Sequence, residues 1–248
     1  MRLFLHQLRA DQLVFWRNRE SAIFVYLFPV LLFLLLGTVY GGTFKGRPVV
    51  DYLVASLIAY GVANTAFGGL AIMLVVRREL GILKRIRSTP LPAATYVAAA
   101  LVSVLIVFVL QTATILVLGR LVYDAALPSD WLSVALAVLL GAAAFSGLGL
   151  AAAALIRSAE GAAAVVNVIV LPMTFLSGGF GPTRDFPDFL QTIADVLPLT
   201  YFVDIVTGIF IDDEAVWTKP GAIAVLVLWG LVGAGIAVRR FTWEPRLG

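Results

Sequence analysis

Six long apolar blocks constrain this chain more than any other feature. They lie at about residues 22–40, 52–76, 94–118, 131–156, 161–179 and 221–238. A block of roughly 18 or more residues with few charges and no alternation reads as a bilayer-crossing helix, not as a strand of a soluble core. Composition agrees: 61% of the 248 residues are hydrophobic and 13% are charged, against roughly 25% charged in a soluble globular domain. The expected fold is an all-α integral membrane protein, with residues 1–248 forming one six-span domain. Pro29 falls inside the first block, where its missing N–H favours a kink.

Charge sets the expected orientation. Of the 18 Lys and Arg, 13 fall in the N-terminus, the segment 77–92, the link 157–160 and the C-terminus, which six spans place on one side; only 5 fall on the other. The positive-inside rule then puts both termini and the 77–92 segment in the cytoplasm. Residues 1–20 carry Arg2, Arg9, Arg17 and Arg19 around Phe4, Leu8 and Phe15, which share one helical sector while Leu13 and Val14 fall off it. This pattern predicts an interfacial helix on the cytoplasmic surface and not a cleaved signal peptide. The longest connection, 180–220, is acidic. Phe186, Phe189, Leu190, Ile193 and Leu197 recur at helical spacing, Pro198 breaks the pattern, and Leu199, Phe202, Val203, Val206 and Phe210 begin another. Two short extracytoplasmic helices, half-sunk in the leaflet or packed on the bundle, satisfy that pattern.

Several chemistries are excluded. The sequence has no cysteine and one histidine, His6, so thiolate chemistry and multi-histidine metal sites are absent. Lys45, Lys84 and Lys219 follow Phe44, Leu83 and Thr218, whereas a P-loop needs glycine before its lysine. Energy from ATP would have to come from another chain, and ATP and Mg would be bound there. Ser146 and Ser177 have no intramembrane base to activate them, and no ionisable chain suggests ion coupling. Basic residues sit beside spans, which points to anionic headgroups and not to nucleic acid.

Mid-span polar residues are neutral: Asn64, Gln111, Thr112, Thr114, Asn167 and Thr174. Each either bonds a neighbouring helix or lines a path for amphipathic cargo. With the aromatics Tyr60 and Phe67, the candidate pathway-lining set is Tyr60, Asn64, Phe67, Gln111, Asn167 and Thr174. Gly37-x-x-x-Gly41 and the runs Ala151–Ala154 and Ala162–Ala164 fit close helix packing.

The segment 77–91 is more patterned than charge placement requires. On a helix, Ile82, Leu83 and Ile86 gather on one side with Arg77, Gly81, Lys84 and Arg85 opposite, a shape that fits a groove on a cytosolic partner. The order Arg78-Glu79-Leu80-Gly81-Ile82-Leu83 ending in Ser88-Thr89-Pro90 resembles the Arg-Glu-x-Gly-x-Leu coupling helix of type-2 ATP-binding-cassette (ABC-2) exporter permeases. Leu171-Pro172-Met173-Thr174-Phe175-Leu176-Ser177-Gly178-Gly179-Phe180, then Pro182, Pro187 and Leu197-Pro198-Leu199-Thr200-Tyr201, is similar to the same family's fifth-span signature. Ile82 and Lys84 depart from the threonine and glutamate of many members. The resemblance covers essentially the whole chain. It implies a transport subunit without its own ATPase site, paired with a second six-span permease and bound to cytosolic P-loop ATPases. Arg77, Arg78, Glu79, Leu80, Gly81, Ile82, Leu83 and Ile86 would be the partner-coupling residues. The expected cargo is hydrophobic or amphipathic, drug-like first, moved outward. A lipid-linked polysaccharide is the alternative, favoured if Tyr26, Tyr60 and Phe67 ring the pathway, and a membrane scaffold recruiting a cytosolic protein is the alternative of another class.

Overall fold

All six apolar blocks are helical in the computed structural model, which describes residues 1–44, 46–179 and 186–244. The spans are Ala22–Val39, Val49–Glu79, Ala93–Tyr123, Trp131–Leu155, Ala159–Leu176 and Pro220–Arg240. The expected bounds hold to within a few residues, except that the third span runs on to Tyr123. The second and third spans each have 31 residues, well beyond the roughly 20 needed to cross hydrocarbon, and so project past it. Between the first and second spans, Thr43–Phe44 pairs antiparallel with Arg47–Pro48, a small departure from all-helical structure.

The second span is the axis of the bundle: 78% of its apolar window is buried, against 22%, 28% and 22% for the first, fifth and sixth. Three helices therefore keep broad faces for lipid or another protein. Without a hydrophobic drive between helices in lipid, close approach must come from small residues. The fourth and sixth spans meet glycine on glycine: a Cβ on Gly233 would lie 2.6 Å from the backbone of Gly147, and a Cβ on Gly147 would strike the carbonyl of Gly230. Gly149 does the same toward the second span, where a Cβ would come within 2.8 Å of the carbonyls of Ala66 and Phe67.

Pro29 acts through a wider turn than a simple kink. Residues Ala22–Leu27 are π-helical, and Phe28–Val39 continues as α-helix. Pro29 has no N–H for the carbonyl of Val25, and the widened turn leaves its neighbours open as well. Side chains from two other spans fill these vacancies. Asn64 Nδ2 donates to the carbonyls of Phe24 (3.0 Å) and Val25 (3.3 Å), and Gln111 Nε2 donates to those of Val25 (3.0 Å) and Tyr26 (3.2 Å). Thr65 donates to Gln111 Oε1 at 3.3 Å. Gly61 makes room for that amide, since a Cβ there would lie 2.5 Å from Gln111 Oε1. Asn64 and Thr65 themselves sit in a second π-helical segment, Ala63–Gly69.

The connection before the last span is a helical hairpin. Asp188–Ala194 and Pro198–Ile211 meet at 83°, with Pro198 opening the second helix as the pattern predicts. Phe202, Ile205, Val206 and Ile209 are buried, so this helix packs on the bundle. Phe180 and Pro182 of the fifth-span signature, and the start of the 180–220 connection, lie outside the described residues.

Replacing Gly233 by valine should cost about 1–3 kcal/mol or more through overpacking and lower the melting temperature in lipid nanodiscs. Gly235, two residues along the same helix, has nothing within 4 Å of a would-be Cβ, and Gly235→Val should melt like the unmodified protein.

Candidate functional site

The basic end of the second span is where the sequence concentrates its unusual pattern, and there the structure divides one expected helix into parts. Arg77, Arg78 and Glu79 form the last turn of the span. The chain then reverses at Gly81, whose φ of +69° favours glycine. A separate helix covers Ile82–Arg87, and the third span starts at Ala93. The expectation of a continuous amphipathic surface from Arg77 onward fails because this left-handed residue re-aims everything after it.

Each of the three residues before the turn reaches a different element. Arg77 lies 2.7 Å from Asp11 Oδ1 on the N-terminal helix Arg2–Arg17 and donates to Tyr96 Oη of the third span at 3.0 Å. Arg78 is only 1% exposed. It donates to the carbonyls of Ala153 (2.7 Å) and Ile156 (2.5 Å) at the C-terminal end of the fourth span, where helix carbonyls lack partners and the dipole is negative. Glu79 Oε2 accepts the amide of Ala159 at the N-terminus of the fifth span, where unpaired N–H groups and the positive dipole end favour a carboxylate. Ser158 caps the same terminus through Gly161 N at 3.4 Å. Arg78 and Glu79 thus hold the two ends of the short link between the fourth and fifth spans.

Beyond the turn, two of the three apolar residues face inward: Leu83 is fully buried and Ile86 packs partly against the core, whereas Ile82 is half-buried. Left outside are Leu80 at the turn, 63% exposed, and Lys84, Arg85 and Arg87 of the helix. Ser88 and Thr89 close the helix by donating to the carbonyls of Arg85 and Ile86. Trp243 also comes here, its ring 5.9 Å from that of Tyr96, and the N-terminal helix is tied to Arg77.

Asp11 and Tyr96 join this segment as partners of Arg77 that no motif in the sequence marks. A signal was present: Asp11 lies between Leu8 and Phe15 on the sector that packs inward, and an acid on an apolar face requires a buried partner. Asp11 is 3% exposed and also accepts from Gln7. Gln12, beside it, donates to Ser103 of the third span at 2.8 Å.

The pathway candidates are dispersed. Gln111 and Thr174 have no exposure; Gln111 bonds the first span and Thr174 its own helix at Val170. Tyr60 (4% exposed, its ring 6.4 Å from Phe28) and Phe67 (6%) are packed in the core. Asn64 is half-buried and Asn167 is exposed on the fifth span. Tyr26 donates to Thr114 at 2.6 Å, since Thr114 already gives its proton to Leu110. A partly open hollow lined by Ile58, Phe202 and Val206 measures about 10 Å³, room for a single water at most, and a wider, open one of about 410 Å³ lies at Leu155, Ile236, Arg239 and Arg240.

Two substitutions test these contacts. Asp11→Ala strands a buried guanidinium and should cost about 3–5 kcal/mol, seen as early melting, while Asp11→Leu with Arg77→Met should recover most of it. Gln111→Leu leaves the carbonyls of the first span short of donors and should cost about 1–2 kcal/mol in the same assay.

Residues 2–211 match the model of the ABC-2 type transporter family. Among curated relatives, YvfS of Bacillus subtilis, described as a transport permease, is 27% identical over 188 residues, 75% of this chain and 76% of its own length. YadH of Escherichia coli, an inner membrane transport permease, is 25% identical over 224 residues, covering 84% and 86%. YbhR of Escherichia coli, described as a multidrug ABC transporter permease, is 25% identical over 174 residues, 69% of this chain but 46% of the relative.

Proposed function

This chain belongs to the ABC-2 type transporter family, a multi-pass membrane protein of the cell membrane and a transport permease, and on that premise we propose that it is the membrane subunit of an ATP-driven exporter. Its energy comes from a separate cytosolic P-loop ATPase that binds ATP and Mg. Both termini and residues 77–91 face the cytoplasm, in keeping with the 13 to 5 distribution of Lys and Arg. Cargo is hydrophobic or amphipathic and drug-like, which suits spans with neutral polar groups and the multidrug description of YbhR. A lipid-linked polysaccharide fits less well, since Tyr60 and Phe67 are taken up by the subunit's own core.

The observation that carries the reading is the outward face of the Ile82–Arg87 helix. Lys84, Arg85 and Arg87 on it are exposed, as is the large apolar side chain of Leu80 just before the turn, and the Glu79 carboxylate is engaged by Ala159. Such a face suits an apolar pocket with an acidic rim on the ATPase. The burial of Tyr60, Phe67, Gln111 and Thr174 in the subunit's own core favours cargo crossing between two such subunits, past exposed groups such as Asn167, rather than through one.

The test is affinity purification of the solubilised chain with its native cytosol. The unmodified protein should recover a P-loop ATPase. Leu80→Asp combined with Lys84→Glu and Arg85→Glu should lower recovery by about tenfold or more, equivalent to at least about 1.4 kcal/mol, and raised salt should weaken recovery by the unmodified protein. Equal recovery by both proteins would refute the docking face. These positions are exposed, unlike Leu83, whose replacement would disturb the core.

A further inference from the structure

We propose that Arg78 and Glu79 do not dock the ATPase but fasten the Ile82–Arg87 helix to the link between the fourth and fifth spans, so that those two spans move with it. The inference rests on the exporter reading and assigns these residues a positioning role inside the subunit. Arg78, at 1% exposure, is closed off from an incoming ATPase, and Glu79, although exposed, has its carboxylate engaged inside the chain. Its guanidinium holds the carbonyls of Ala153 and Ile156, while the next residue's carboxylate holds the amide of Ala159.

The charges are matched to their places: a cation on a negative helix end and an anion on a positive one, from consecutive residues of a third helix. Exchanging them would set both against the local dipoles. The link they grip spans residues 156–158, between helices ending at Leu155 and starting at Ala159, so neither helix end can move far without the other. Only Leu80 and Gly81 separate this grip from the Ile82–Arg87 helix. A Cβ on Gly81 would meet nothing within 4 Å, so its glycine serves the φ of +69° and not a packing need. A push on the outer helix therefore reaches a clamp two residues away. Arg77 extends the same hold to the N-terminal helix and the third span through Asp11 and Tyr96.

The sequence has no cysteine, so paired labels can be introduced directly. Ser88→Cys and Glu160→Cys place spin labels at exposed positions on the two sides of the clamp. Their distance is measured in the purified assembly with the ATPase, in nucleotide-free form and trapped with ATP and vanadate. With Glu79 present, the distribution should stay narrow and unmoved by trapping. In Glu79→Ala, trapping should shift or broaden it, while ATPase recovery falls less than twofold. Glu79→Gln, which keeps an acceptor oxygen, should restore the narrow distribution, separating a lost grip from misfolding. A distance that moves equally with and without Glu79, or a Glu79→Ala distribution that never moves, overturns the inference alone. If the unmodified chain recovers no ATPase, the exporter reading itself is overturned, and the inference with it.

Discussion

A helix backbone group inside a membrane has no water to turn to, and the bundle is fastened largely by side chains that satisfy such groups on a neighbouring helix. Pro29 leaves the carbonyl of Val25 without its usual donor, and amides from the second and third spans supply one. The fourth span's last carbonyls find Arg78, and the fifth span's first amide finds Glu79. At the opposite end Tyr123 donates to Leu34 O at 2.6 Å, and Asp51, 2% exposed, accepts from Ala126 N at 3.0 Å. Between the fourth and sixth spans, glycines bring the backbones together. The second span contributes to most of these fastenings, which is why it forms the axis of the fold.

That arrangement gives the basic end its mechanical character. Arg77, Arg78 and Glu79 are consecutive, so at helical spacing they point in three directions and reach the N-terminal helix, the third span, and the ends of the fourth and fifth. The buried ion pair of Arg77 with Asp11 is weak evidence for net stability, because desolvation opposes it. Its contribution is specificity of position: the N-terminal helix has one place where Asp11 can go. What remains free of this network is Leu80 and the basic face that follows, the part suited to a partner.

Much of the fold was legible because hydrophobic block length is a one-dimensional signal. The six spans, the break at Pro198 and the helical hairpin all follow from apolar spacing in the sequence. The functional segment was legible as a pattern but not as geometry. Leu83 and Ile86 turn inward and Ile82 is half-buried; amphipathicity shows that one face is covered and not by what. Nor does spacing reveal that Arg78 and Glu79 serve helix ends 75 or more residues away, since capping partners in different spans leave no periodic trace. Asp11 was the readable exception, a charge on an apolar sector.

The most direct measurement is amide hydrogen exchange of Ala159 in lipid nanodiscs, comparing the unmodified protein with Glu79→Ala. The first amides of a helix exchange readily unless capped, so a Glu79 carboxylate seated on this amide predicts protection that the alanine variant loses, with the rest of the fifth span unchanged. Equal exchange in the two proteins would contradict it and leave the link between the fourth and fifth spans unfastened.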